Sequence, residues 1–187
     1  CFVAWGDKLA SEGPAAFYSA DYFADYPPGY ILVLGLVSLV RKALQLSYES
    51  RWTYFLLALI PAICDCAAVV LLDHISRRYM GQGRAQRCLV LFAAFCPLTL
   101  FDTGIWKQID GAFALPLLLC FWLLEERRYL LAAVLYGVAL AIKPQALLAG
   151  PVLAVCFLVA IADAVRDGKS PLKSVGQIFG GAALALL

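Results

Sequence analysis

The chain has 187 residues, 63% of them hydrophobic and 15% charged, with a mean hydropathy of +0.82; a soluble domain is nearer half apolar and a quarter charged. A soluble fold of this size keeps roughly 30% of its surface in water and needs polar residues to cover it, and the same figures exclude disordered, collagenous and disulfide-framework classes. A net charge of +2, from 15 basic and 13 acidic residues, gives no field that would attract nucleic acid. The composition fits an all-α, polytopic transmembrane helix bundle.

The chain opens on Cys1 without a signal-peptide pattern and closes inside an apolar run too short to cross a bilayer, which leads to the expectation of an internal fragment. Phe2, Trp5 and Leu9 recur at helical spacing until Glu12-Gly13-Pro14 breaks the run. Phe17, Tyr18, Tyr22, Phe23, Tyr26 and Tyr30 then form an aromatic band of the kind found at lipid headgroups. After Pro27-Pro28-Gly29 only about 11 apolar residues precede Arg41-Lys42, a length that is more often interfacial than spanning. Residues 1–51 are therefore expected to lie on the membrane as an extracytoplasmic loop with juxtamembrane helices. Residues 52–187 form the bundle, with spans at about 52–74, 88–106, 110–125, 128–143 and 146–165 and the start of another over 175–187.

The orientation follows from the basic residues. With that topology one face receives Arg77, Arg78, Arg84, Arg87, Arg127, Arg128, Arg166, Lys169 and Lys173, nine in all, and the other receives Lys8, Arg41, Lys42, Arg51, Lys107 and Lys143, six. The richer face is cytoplasmic by the positive-inside rule. The seven cysteines mostly sit in apolar runs without ligand spacing and read as small apolar residues, not as zinc or redox sites.

On the outer face this topology gathers three polar clusters: Asp25-Tyr26-Pro27-Pro28-Gly29-Tyr30, residues 102–110 with Trp106, Lys107, Gln108 and Asp110, and Lys143-Pro144-Gln145. Each has a plain structural explanation. Tandem prolines start helices, a lysine before proline snorkels where a helix ends, and Asp110 or Gln108 can cap the helix that follows. Their common depth is what none of these explains. Carboxylates, amides and ammonium groups at one depth are the parts needed to move a group from a lipid-linked phosphate to a hydroxyl. Asp65, inside the run 52–72, is a mid-span acid, expected about 20 Å from the outer end of its helix and so out of reach of the clusters, as an interhelical polar anchor or a protonated acid. His74 reads as interfacial.

The order DYPPGY, W-x-Q-x-D, K-P-Q resembles the GT-C superfamily of polyprenyl-phosphate-sugar glycosyltransferases, and among them bacterial proteins related to the second mannosyltransferase of GPI-anchor assembly. The resemblance implies an inverting hexosyltransferase in a bacterial plasma membrane, its active site facing outside. A large first outer loop would cover a cavity in the bundle. The donor would be a polyprenyl-phosphate-linked sugar, mannose by analogy, and the acceptor a glycan, lipid or protein. Residue by residue it places Asp25, Tyr26, Pro27, Pro28 and Tyr30 on the first motif, Trp106, Gln108 and Asp110 on the second, and Lys143 and Gln145 on the third. Asp25 and Asp110 are the candidate catalytic carboxylates; Tyr26, Pro27, Pro28, Tyr30, Trp106, Lys107, Gln108, Lys143 and Gln145 are the candidate substrate-binding residues, with Arg51 a further candidate cation for the phosphate. In such proteins the usual catalytic aspartate precedes a stretch like residues 1–5, so the chain by itself is expected to be inactive; Lys107 stands where the family more often has a small residue. No nucleotide-binding pattern, cofactor or metal is called for, and a divalent metal finds no support in the sequence. The competing readings are a secondary transporter or flippase-like carrier, whose substrate groups belong at mid-membrane on broken helices, and a non-catalytic scaffold.

Overall fold

The computed structural model describes residues 1–19 and 22–166 and, beyond them, 175, 176, 178, 180, 181, 183 and 184. Every regular element among the described residues is helical. Lys169 and Lys173 of the cytoplasmic set, and much of the expected span over 175–187, lie outside the described residues.

Helix α1 (Phe2–Glu12) ends where Gly13 takes φ +78°, and α2 (Pro14–Phe17) starts at once on Pro14. After Pro27 come α3 (Pro28–Ala43), the long α4 (Arg51–Met80), α5 (Arg84–Ala94) and α6 (Pro97–Phe101). A π-helical turn over Asp102–Trp106 leads to α7 (Asp110–Glu125), α8 (Tyr129–Ile142), a 3₁₀ turn over Pro144–Ala149 and α9 (Gly150–Arg166). Among the described residues three helical runs are long and apolar enough to cross a membrane: Arg51–Met80, Arg84–Trp106 and Pro144–Asp163; Tyr129–Ile142 is apolar but shorter. Large apolar side chains face outward along them, Phe92, Phe95, Leu98 and Leu148 among them, as the wall of an integral membrane protein requires.

Two sets of contacts fix the relative heights. At one end of α4, Arg78 pairs with Glu126 and, at 3.7 Å, with Glu125 at the end of α7. Halfway along α4, Asp65 accepts a hydrogen bond from Thr103 at 2.5 Å and lies against Gly111 at the start of α7. So α7 runs parallel to the second half of α4, and α8 returns beside it with Ala132 and Ala139 fully buried, small residues that let helices approach closely. At about 1.5 Å per residue, α7 and α8 are roughly 21–24 Å long, some 6–9 Å short of a typical hydrocarbon core. Their site-bearing ends are recessed.

The first half of α4 rises beyond those ends and carries the N-terminal layer. Trp5, Leu9, Phe17, Tyr30, Ile31 and Leu34 share one core with Leu57 of α4 and with Ile109 and Ala112 of the bundle. The layer is thus continuous with the bundle, and residue 51 marks the start of α4 without dividing two cores. The aromatic band is also more than a belt. Phe17 and Tyr30 are buried, Tyr26 and Tyr30 lie 5.1 Å apart against Phe2, and Tyr18 and Phe23 are the exposed members.

The layer is held by α1 against α3. Gly6 sits where any Cβ would meet the Leu34 carbonyl and Ser38, and Leu9 packs over Gly35. Asp7 accepts from the Ser38 hydroxyl and from Arg41 Nη2 at 2.7 and 2.8 Å, with Lys42 4.0 Å away. Burial pushes the Asp7 carboxyl up, but the Ser38 and Arg41 hydrogen bonds and the two cations outweigh it and hold it below the ordinary carboxylate value. A lowered carboxylate pKa means stability that is present above the unfolded pKa, about 3.9, and is lost as pH falls through the folded one. Asp7→Ala should cost about 1–3 kcal/mol, seen as a lower melting temperature in detergent at pH 7, and the gap from wild type should close below about pH 4.

Candidate active site

The three sequence clusters meet at the recessed ends of α7 and α8. Lys143, the last residue before the 3₁₀ turn, donates its ammonium to Asp110 Oδ1 at the start of α7. Its side chain is 12% exposed and that of Asp110 46%, so the pair has one buried and one accessible partner. Tyr26 donates its hydroxyl to Gln108 Oε1 at 3.4 Å. Gly29 lies on the end of α8, where a Cβ would stand 2.6 Å from the Ala141 carbonyl oxygen. DYPPGY thereby touches the W-x-Q-x-D motif and the end of α8 just before Lys143.

A cavity of about 440 Å³ opens at this junction, lined by Asp25, Tyr26, Lys143, Pro144 and Gln145 and bounded on its outer side by Leu147 and Leu148. It combines a carboxylate, an ammonium, an amide and an aromatic ring with an apolar margin that faces outward. Burial pushes the Tyr26 phenol above its usual value; Lys143 pulls it down, while Asp25, Asp110 and Asp102 push it up further. The phenol stays protonated and donating at neutral pH. One ammonium therefore stands among carboxylates, a balance that suits proton abstraction and concentrates any anion binding on Lys143.

On the other side of Asp110 a second cavity, about 540 Å³, is lined by Asp65, Asp102, Thr103, Trp106 and Gly111 and by apolar residues of α6 and α7. The expectation that Asp65 lies beyond reach of the motifs is therefore corrected. It does sit about 20 Å from the start of α4, but the motif-bearing ends of α7 and α8 are recessed to the same height. Asp102 and Thr103 belong to the 102–110 polar cluster without being among its candidate site residues; an acid in mid-span was the available signal for Asp65, and nothing in the linear pattern paired it with Thr103.

Other candidates take different places. Trp106 is exposed between the second cavity and a third of about 420 Å³. Lys107, at φ +57°, donates to the Gly104 and Ile105 carbonyls at 2.9 and 3.2 Å and lines that third cavity with Tyr48 and Tyr54. It caps the π turn away from Lys143. Tyr30 is buried beneath Tyr26 as packing, and Pro27 and Pro28 serve as N-cap and first turn of α3. Arg51 opens α4 roughly 21 Å above Asp65. Among the described residues no group of three or more histidine, cysteine or acidic side chains is arranged to hold a metal ion.

Such a helix bundle is that of an integral membrane protein, and comparison with protein families supplies the reaction class. The model of glycosyltransferase family 87 matches residues 23–187, nearly the whole chain and all three motifs. The chain belongs to glycosyltransferase family 87. No curated protein and no solved structure matches it. A glycosyltransferase takes a sugar donor and an acceptor, so the carrier and scaffold readings are set aside. Depth alone could not have done so, since Asp65 and the motifs share one level on broken helices.

The two contacts that DYPPGY makes with Gln108 and with the end of α8 differ in strength. Tyr26→Phe removes only a hydrogen bond near the distance limit and should lower the transfer rate about twofold. Gly29→Ala forces backbone apart at the Ala141 carbonyl and should lower it about tenfold, because small displacements of reacting groups are costly; steady-state rates in vesicles compare them.

Proposed function

We propose that this protein transfers a hexose, mannose by analogy, from a polyprenyl-phosphate donor to a hydroxyl on a glycan, lipid or protein acceptor, in the GT-C manner. The carrying observation is the 440 Å³ cavity in which Asp25, Lys143 and Gln145 converge beside the outward-facing Leu147 and Leu148. A donor with a polar head and an apolar chain fits such a margin: the sugar and phosphate enter the polar end and the chain stays in lipid.

Lys143 holds the phosphate as it leaves with growing negative charge, and Asp110 fixes the direction of its ammonium. Asp25 takes the acceptor proton as the new C–O bond forms, in a single in-line displacement that inverts the anomeric carbon. Gln145 and Tyr26 offer amide and aromatic contacts to the sugar. The site end is assigned to the outer face of a bacterial plasma membrane because Arg77, Arg78, Arg84, Arg87, Arg127, Arg128 and Arg166 gather at the opposite helix ends.

The test uses the full-length protein in vesicles with radiolabelled polyprenyl-phosphate mannose and a membrane-extract acceptor. Lys143→Ala and Asp110→Ala should each lower kcat/KM by more than tenfold, at least about 1.4 kcal/mol of transition-state stabilisation. Wild-type transfer by both variants would remove the site. Label arriving from a nucleotide sugar but not from any polyprenyl-phosphate sugar would remove the donor class.

A further inference from the structure

Asp65 makes contacts that the proposed reaction leaves without a role. Its Oδ2 accepts from Thr103 at 2.5 Å, inside the π turn. Its Oδ1 fills the space a side chain would take at Gly111, where a Cβ would also stand 2.9 Å from the Pro61 carbonyl. The two contacts fall on either side of Trp106, Gln108 and Asp110. Between them the backbone is irregular: the π turn closes with the Lys107 and Gln108 amides both donating to the Asp102 carbonyl, and Lys107 adopts the left-handed conformation. A segment with so little helical hydrogen bonding needs an outside anchor to hold one shape.

We propose that Asp65 is a positioning residue: by binding Thr103 and seating Gly111 it holds both ends of the tryptophan–glutamine–aspartate segment, so that Asp110 meets Lys143 at the wall of the cavity. This rests on the assignment of Lys143 and Asp110 to sugar transfer. Asp65 touches neither Lys143 nor the cavity lined by Asp25 and Gln145, so its effect passes through Asp110. A side chain with two acceptor-bearing branches serves here because Thr103 donates to one oxygen while the other lies against Gly111 at the start of α7.

The experiment compares kcat and donor KM in full-length protein in vesicles. Asp65→Ala should lower kcat tenfold or more while KM stays within threefold, since the ammonium that binds donor remains but is misdirected. Asp65→Asn keeps an acceptor for Thr103 and should recover kcat to within threefold of wild type. Thr103→Val should fall toward the alanine variant and Thr103→Ser should recover. The Asp65→Ala, Thr103→Val double variant should be no slower than the slower single one, as for two halves of one contact. Wild-type kcat in Asp65→Ala overturns the proposal. So does an Asp65→Asn variant as slow as the alanine one, which would mean that the charge itself acts in the reaction. Should Asp65→Ala fail to assemble, Thr103→Val decides: wild-type kcat there overturns the proposal, and a selective fall in kcat supports it. If Lys143→Ala and Asp110→Ala are also silent, the site assignment fails; if they lose transfer and Asp65→Ala does not, only the positioning role does.

Discussion

A lysine side chain that is almost buried in an apolar bundle requires a counter-charge, because an unpaired ammonium there would lose its hydration with no return. Lys143 has Asp110, and that pair ties the end of α8 to the start of α7. Once those two helix ends are joined, Gly29 can rest on Ala141 and Tyr26 can reach Gln108. The same pair fixes the direction of the ammonium at the edge of the cavity that Lys143 lines.

Several irregular stretches of backbone gather at this level of the bundle. The π turn, the left-handed Lys107 and the 3₁₀ turn after Lys143 all occur where the chain borders a cavity. Backbone groups released from helical pairing are expensive in lipid and tolerable where protein or water can satisfy them. Lys107 meets two of those needs itself, through the Gly104 and Ile105 carbonyls. A cation that the sequence offered for substrate donates to the backbone and lines the third cavity.

The opposite helix ends carry a different network. Arg78 with Glu125 and Glu126, Arg77 with Asp73, and Gln86 with Asp73 and Ser76 tie α4, α5 and the α7–α8 turn together. The ion pairs there are solvent-accessible, whereas Lys143 at the candidate site is 12% exposed against Asp110.

Composition alone determined that this is a helical membrane protein, because no soluble fold can hide so much apolar surface. Local chemistry determined several element ends: Gly13-Pro14 and Pro28 stop and start helices through backbone geometry that needs no tertiary partner. The three motifs were legible because each combines polar residues with helix-terminating ones. The height of Asp65 was not. Counting residues along α4 measures distance from its own end, and only packing revealed that α7 and α8 stop short and place their ends beside its middle. The fate of Lys107 was hidden for a related reason, since a π turn has no sequence period and its open carbonyls exist only once the fold has formed.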